Sequence, residues 1–196
     1  LLGIKQIEKE GYEADDLIAT LAEMFSNEGD NVFIITGDKD IMQILKEGIV
    51  IVHPDGWRQF TLDDFRRQYG MEPSGVPDII GLAGDSSDNI PGVYGIGEKT
   101  ALKLLQRYGT IENLYSHIEE VEPERIRKLL IENKENAFMS KELAILKRDV
   151  DIGNITREDL IISPPNTGKL LQMFEELEFR KIATQLEKVY PFFTKL

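Results

Sequence analysis

The chain has 196 residues, 41% of them hydrophobic, enough for a buried core in one domain or two small ones. It has no cysteine, which excludes disulfides, zinc-thiolate sites and cysteine nucleophiles, and no run approaching the roughly 20 apolar residues of a membrane span. The net charge of -12 argues at first against a nucleic-acid partner, yet the acid is uneven: residues 1–90 hold 18 Asp and Glu against 7 Lys and Arg, the rest 17 against 16.

The chain opens on Leu1, not Met, within what reads as an apolar-polar strand, so sequence upstream is expected. No signal segment opens it, and the absence of cysteine fits a reducing cytoplasm, so a cytoplasmic protein without a membrane is expected. Gly11 to Phe25 reads as a helix with Leu17, Ile18, Leu21, Ala22 and Phe25 on one side, and Asn31 to Thr36 as a buried strand. Ile41 to Leu45 is a short helix, and Ile49 to His53 and Trp57 to Phe60 flank the turn Pro54-Asp55-Gly56 as a hairpin. Thr61, with Asp64 three residues on, caps a helix that Gly70 stops.

Short helices follow: Pro77 to Ala83, Glu98 to Tyr108, Ile111 to Ser116, Pro123 to Asn133, Lys134 to Lys147 and Lys169 to Leu177, with Leu160 to Ile162 as a late strand candidate. The pattern predicts an α/β class protein: a largely parallel-sheet layer over residues 1–84, then a helical subdomain over residues 85–196.

Three acidic clusters sit at element ends: Glu13, Asp15 and Asp16 at a helix start, Asp38 and Asp40 after the first strand, and Asp85 and Asp88 in a Gly/Ser/Asn turn. Taken singly, each also reads as a dipole-complementing first turn, a helix cap or a solvated turn. Together they offer seven hard oxygen ligands with no His or Cys nearby, a set suited to Mg²⁺ or Mn²⁺ rather than zinc. Converged without cations they would repel one another and raise their own pKa values. The chemistry implied is phosphodiester hydrolysis with two ions about 4 Å apart, which needs neither a His base nor a protein nucleophile.

After Pro91 come Gly92-Val93-Tyr94-Gly95-Ile96-Gly97 and then a helix with Lys99, Lys103 and Arg107 at i, i+4 and i+8, and with Ala101, Leu102, Leu104 and Leu105 as its apolar face. The Gly-Lys-Ser/Thr spacing of a mononucleotide loop is absent. A helix-hairpin-helix offering backbone N–H groups to a phosphate is the reading, with Gly95, Ile96, Gly97, Lys99, Thr100 and Lys103 as its DNA-binding residues. A plain loop with solvated lysines is the alternative. The remaining basic residues, Arg125, Arg127, Lys128, Lys134, Lys141, Lys147 and Arg148, read mostly as helix-surface ion pairs, and His53, His117 and Trp57 receive no role.

The stretches GYEADDLIATLA, TGDKDIMQIL, GLAGDSSDNIPGVYGIGEKTALKLL and the closing LEF before Arg180 resemble the 5′ nuclease family of bacterial DNA polymerase I, which includes phage 5′ exonucleases and flap endonucleases. The similarity runs from about Leu2 to about Ile182. It implies a PIN-like α/β layer with a helical appendage, and removal of 5′ flaps and RNA primers in replication and repair. By that resemblance Glu13, Asp15, Asp16, Asp38, Asp40, Asp85 and Asp88 are metal ligands, with Asp16, Asp38, Asp85 and Asp88 closest to catalysis. The hairpin from Val93 to Lys99 would hold nicked or branched duplex DNA with a 5′ flap, with a K⁺ on its carbonyls, and a polymerase domain in cis is a further implication.

The resemblance also implies an upstream Asp-bearing central strand, a second further ligand and a basic helical arch, none of which precedes the segment at Leu1. A duplex-binding piece that does not cut is therefore one alternative. A metal-dependent ribonuclease or phosphohydrolase is the other.

Overall fold

The computed structural model describes residues 1–185. They fall into two compact units, one of residues 11–150 and one of residues 1–10 with the chain from 151 onward. No helix among the described residues is long and apolar enough to cross a membrane.

The larger unit leads into helix α1 (Ala14–Asn27), which buries Leu17, Ala19, Thr20, Ala22 and Phe25. Strand β1 (Val32–Ile35) pairs in parallel with β2 (Ile49–His53), and the crossover between them is a 3-10 turn over Asp40–Ile44. β2 turns back into β3 (Arg58–Phe60), antiparallel, with His53 opposite Arg58, so the expected hairpin forms. β1 is not the buried strand the apolar run NVFIIT predicts. It lies at the edge of a three-stranded sheet, and only Ile34 is buried while Phe33 and Ile35 are 57% and 59% exposed. Successive side chains point to opposite faces, and only one face of β1 meets the core.

Helix α2 (Leu62–Tyr69) starts at a capping box in which the Thr61 and Asp64 side chains serve each other's backbone N–H groups, and it ends at Gly70 in the left-handed conformation. Helices α3 (Val76–Ala83), α4 (Glu98–Tyr108), α5 (Ile111–Ser116), α6 (Glu124–Glu132) and α7 (Lys134–Ala144) complete the unit, close to their predicted limits. A Cβ at Gly81 of α3 would meet the Ala137 carbonyl of α7 at 2.9 Å and the Ile111 side chain at 2.6 Å, so this glycine sets how closely the helices approach.

The predicted helix from Lys134 stops three residues early, at Ala144 rather than Lys147. Buried Gln43 reads the departing backbone, donating to the Ala144 carbonyl at 2.8 Å and accepting the Leu146 N–H at 3.1 Å, which replaces helical bonds with side-chain ones. Lys141 is not the surface ion pair its sequence neighbours suggest: it reaches Asp78 of α3 at 2.7 Å and Glu112 of α5 at 2.9 Å, with 17% of its side chain exposed.

In the smaller unit no strand forms at Leu1 or at Leu160 to Ile162. Residues 158–160 make a 3-10 turn instead, nucleated by Asp159 accepting both the N–H and the hydroxyl of Thr156 at 2.9 Å, and Ile161 and Ile162 are exposed. Helix α8 (Thr167–Glu176) follows its Asn166 cap and buries Leu170 and Phe174, while Gly3 accepts the Ser163 N–H at 3.0 Å.

Candidate functional site

The first acidic cluster is delivered by the start of α1, the second by the end of β1 and the third by the turn after α3. At the end of β1, Asp38 accepts the Asp40 N–H at 3.0 Å while its own N–H donates to the Thr36 hydroxyl at 3.0 Å, so the chain folds back and turns Asp40 inward. The third loop is closed by a reciprocal pair of backbone bonds between Asp85 and Ile90, of 2.9 and 2.7 Å, and Asp85 accepts the Ser87 N–H at 2.6 Å.

Asp40, Asp85 and Asp88 come together: one carboxylate oxygen from each lies within 4.8 Å of the others. Opposite ligands of a Mg²⁺-sized ion stand about 4.2 Å apart, twice the bond length of 2.0–2.1 Å, so this spacing suits a shared divalent cation. Asp40 is 8% exposed and its Oδ1 has no hydrogen-bond partner, which leaves a buried oxygen with a cation as its natural complement. Met42, Tyr69, Val76, Ile79 and Ile80, with Lys39, Asp85 and Glu98, line a cavity of about 100 Å³ that reaches Asp40.

The electrostatics follow from that placement. Burial, and then the charges of Asp38, Asp85, Asp88 and Asp15, push the Asp40 carboxyl up to about 7. Asp15 is raised by burial and by Asp38, Glu13, Asp88 and Asp16, and Asp88 by burial, Asp38 and Asp85. Five of the seven predicted carboxylates, Asp15, Asp38, Asp40, Asp85 and Asp88, thus share one field. Divalent cations neutralise such a field, and an all-oxygen donor set selects hard ones.

The other two stand differently. Glu13 is exposed at the start of α1 and joins the field only through Asp15. Asp16 turns to the backbone, accepting the Lys147 N–H at 2.8 Å and the Glu13 N–H at 3.4 Å, so both its oxygens have structural partners. Periodicity could not show this, because Lys147 lies 131 residues away. Lys147 also stands over the Tyr12 ring at 4.7 Å, a pairing that carries no local sequence signal.

The glycine hairpin lies directly beyond the third loop. Val93 and Ile96 are 2% and 3% exposed and pin it to the core, while Tyr94 is 83% exposed. Gly95 takes φ +81°, which frees the turn to reverse, and Gly97 caps α4 with its carbonyl accepting the Thr100 and Ala101 N–H groups. The N–H groups ahead of those head the helix unbonded by it, the arrangement that receives an anion. Of the predicted DNA-binding residues, Gly95, Gly97, Lys99 and Lys103 are exposed and Thr100 is half-buried. Ile96 is not presented: its side chain is buried and its N–H donates to the Val93 carbonyl at 3.0 Å, so it anchors the hairpin.

Residues 71–168 match the family model described as 5′-3′ exonuclease, C-terminal SAM fold, and residues 1–70 the one described as 5′-3′ exonuclease, N-terminal resolvase-like domain. The chain is 38% identical over 190 residues to a 5′-3′ exonuclease of Aquifex aeolicus, covering 97% of this chain and 64% of that protein. It is 39% identical over 193 residues to DNA polymerase I of Bacillus caldotenax, covering 94% of this chain and 21% of that protein. The fold is that of T5 5′-exonuclease bound to zinc (TM-score 0.63, 23% identity, 69% of this chain and 51% of that one) and of the catalytic core of Rad2 in complex with DNA substrate (TM-score 0.57, 17% identity, 84% and 57%). The chain thus spans about two thirds of the Aquifex protein and about a fifth of the polymerase. With both halves matched in order, a resolvase-like α/β layer followed by a helical SAM-like fold, the chain belongs to the 5′-3′ exonuclease family.

Proposed function

We propose that this chain is the metal- and DNA-binding part of a structure-specific 5′ nuclease, hydrolysing phosphodiesters of DNA flaps or RNA primers in replication and repair. The observation that carries the reading is the convergence of Asp40, Asp85 and Asp88 around an unpartnered buried oxygen, next to a hairpin whose helix start is open to a phosphate. The working division places the α/β metal layer in residues 1–84 and the DNA-binding helical part in residues 85–196.

Asp40, Asp85 and Asp88 would hold one divalent ion, and Glu13, Asp15, Asp16 and Asp38 would share in a second. Mg²⁺ or Mn²⁺ bound there would polarise the phosphate and lower the pKa of water. The carboxylates themselves fix that charge at the strand end and take no proton, while Asp16 also holds the start of α1 against the Lys147 backbone. Gly95, Gly97 and Lys99, with Thr100 and Lys103 behind them, would grip nicked or flapped duplex DNA through its phosphates whatever its sequence. A K⁺ on the hairpin carbonyls and a polymerase domain in cis complete the reading, the latter supported by the polymerase relatives.

Cleavage of 5′-labelled flap DNA with Mg²⁺ or Mn²⁺, against chelator and against Asp88→Ala, tests this. Metal-dependent cutting lost in the variant, with duplex affinity retained, is expected. Loss of duplex affinity in Asp88→Ala would remove Asp88 from the metal set. A second reading, duplex binding without cutting, is favoured by the exposed helix start at Gly97 and Lys99, which can hold a phosphate without a metal ion. Salt-sensitive binding with no cleavage would select it.

A further inference from the structure

We infer that Ser140 is a positioning residue that locks the carboxylate loop to the DNA-gripping hairpin, so that both engage one nucleic acid as a single rigid clamp. The inference rests on the proposed function. Ser140 is fully buried in the middle of α7, and its hydroxyl accepts the Gly92 N–H at 3.0 Å across 48 residues of sequence. Gly92 and Gly84 stand back to back: a Cβ on Gly92 would lie 2.2 Å from the Gly84 nitrogen, and both glycines have positive φ, +61° and +73°. On one side of that crossing hangs the loop closed by Asp85 and Ile90, which carries Asp85 and Asp88. On the other side the hairpin begins, tied by the Val93 N–H to the Leu82 carbonyl at 2.9 Å.

The close approach of α7 to α3 at Gly81 brings Ser140 within reach of this crossing. Ser140 bonds to the Gly92 backbone and not to Asp85, Asp88 or Lys99, so its influence is on their spacing. Spacing matters because a duplex held at the hairpin presents its neighbouring phosphate to the carboxylate loop as an intramolecular partner, at an effective concentration fixed by how rigid the connection is. Removing the Ser140 oxygen leaves the buried Gly92 N–H without its acceptor, which loosens the tie of the crossing to α7. Metal binding and DNA binding should then persist separately while their mutual reinforcement declines.

The test compares the wild-type chain with Ser140→Ala and with Ser140→Cys, which keeps the side-chain shape with a slightly larger atom that is a poor acceptor. Three quantities are measured: the Kd for labelled nicked flap DNA in chelator, the Kd for Mn²⁺ without DNA, and the gain in DNA affinity when Ca²⁺ replaces chelator. Both variants should keep the first two within about twofold of wild type and lose at least about fivefold of the gain, which corresponds to about 1 kcal/mol of coupling. A general packing role would raise both Kd values and reduce the gain together with the melting temperature, and that result would overturn the inference. Wild-type gain in both variants, or no Ca²⁺ gain in the wild type, would overturn it as well. Failure of the proposed function itself looks different: the wild type would bind neither flap DNA nor Mn²⁺.

Discussion

Replacing Lys141 by Met should destabilise the protein by about 3 kcal/mol, far more than a surface lysine would. The Asp78 side chain is only 5% exposed, and Lys141 Nζ contacts it at 2.7 Å, with the Ile111 N–H its other donor, at 2.8 Å. Burial alone would lower the Lys141 pKa, but the hydrogen bonds that its ammonium donates to Asp78 and Glu112 outweigh it and raise the value, so the proton is held more firmly than in water. Removing one member of a buried pair typically costs about 3–5 kcal/mol because the other charge is stranded. The lower end applies here, since Asp78 keeps Ile111 and since Glu112, with 56% of its side chain exposed, recovers its hydration. For a chain of this length the loss corresponds to a fall in Tm of about 6–12 °C. Urea melts of Lys141→Met, Asp78→Asn and the double variant form a cycle, in which the double variant should be about 2 kcal/mol less destabilised than the sum. A cost under about 1 kcal/mol for Lys141→Met, or additivity within about 0.5 kcal/mol, would refute the reasoning.

Asp40→Asn removes a charge that four other carboxylates repel, so it should raise the Tm in chelator and abolish the further rise that Mn²⁺ gives the wild type; scanning fluorimetry in both conditions checks this. Lys99→Ala should weaken duplex binding for every sequence and reduce the slope of log K against log salt by about one, as measured by anisotropy titrations at several salt concentrations. The hydrogen bond from Lys46, opposed by partial burial and helped by the Lys46 and Arg148 charges, holds the Glu23 carboxyl below its ordinary value. A depressed folded pKa contributes stability that is complete above the unfolded value of about 4.5 and is lost as pH falls through the folded one. Glu23→Gln should therefore be less stable than wild type at neutral pH and should lose less stability on acidification, which chemical melts at pH 7 and pH 3.5 would show.

Much of the architecture is legible in the sequence because its signals are local. Thr61 and Asp64 mark the start of α2 and Gly70 its end, and the period of Ala101, Leu104, Leu105 and Tyr108 fixes the buried face of α4. The carboxylates are legible for another reason: seven acidic residues at three element ends, without His or Cys, have few uses besides hard cations. Local signals mislead where the outcome depends on what lies alongside. NVFIIT is apolar enough for a buried strand, yet only one face of it meets the core, which leaves Phe33 and Ile35 exposed, and Leu160 to Ile162 is apolar enough for a strand but pairs with none among the described residues. Only the tertiary structure decides which carboxylates converge, because Asp40 and Asp85 are 45 residues apart and Asp16 is claimed by a backbone N–H 131 residues away. It alone likewise turns Ile96 inward, buries Lys141 beside Asp78, and places Ser140 under Gly92. Sequence determines what each segment can form and which chemistry its side chains can offer, whereas contacts between distant segments, set by packing, determine which of those side chains meet.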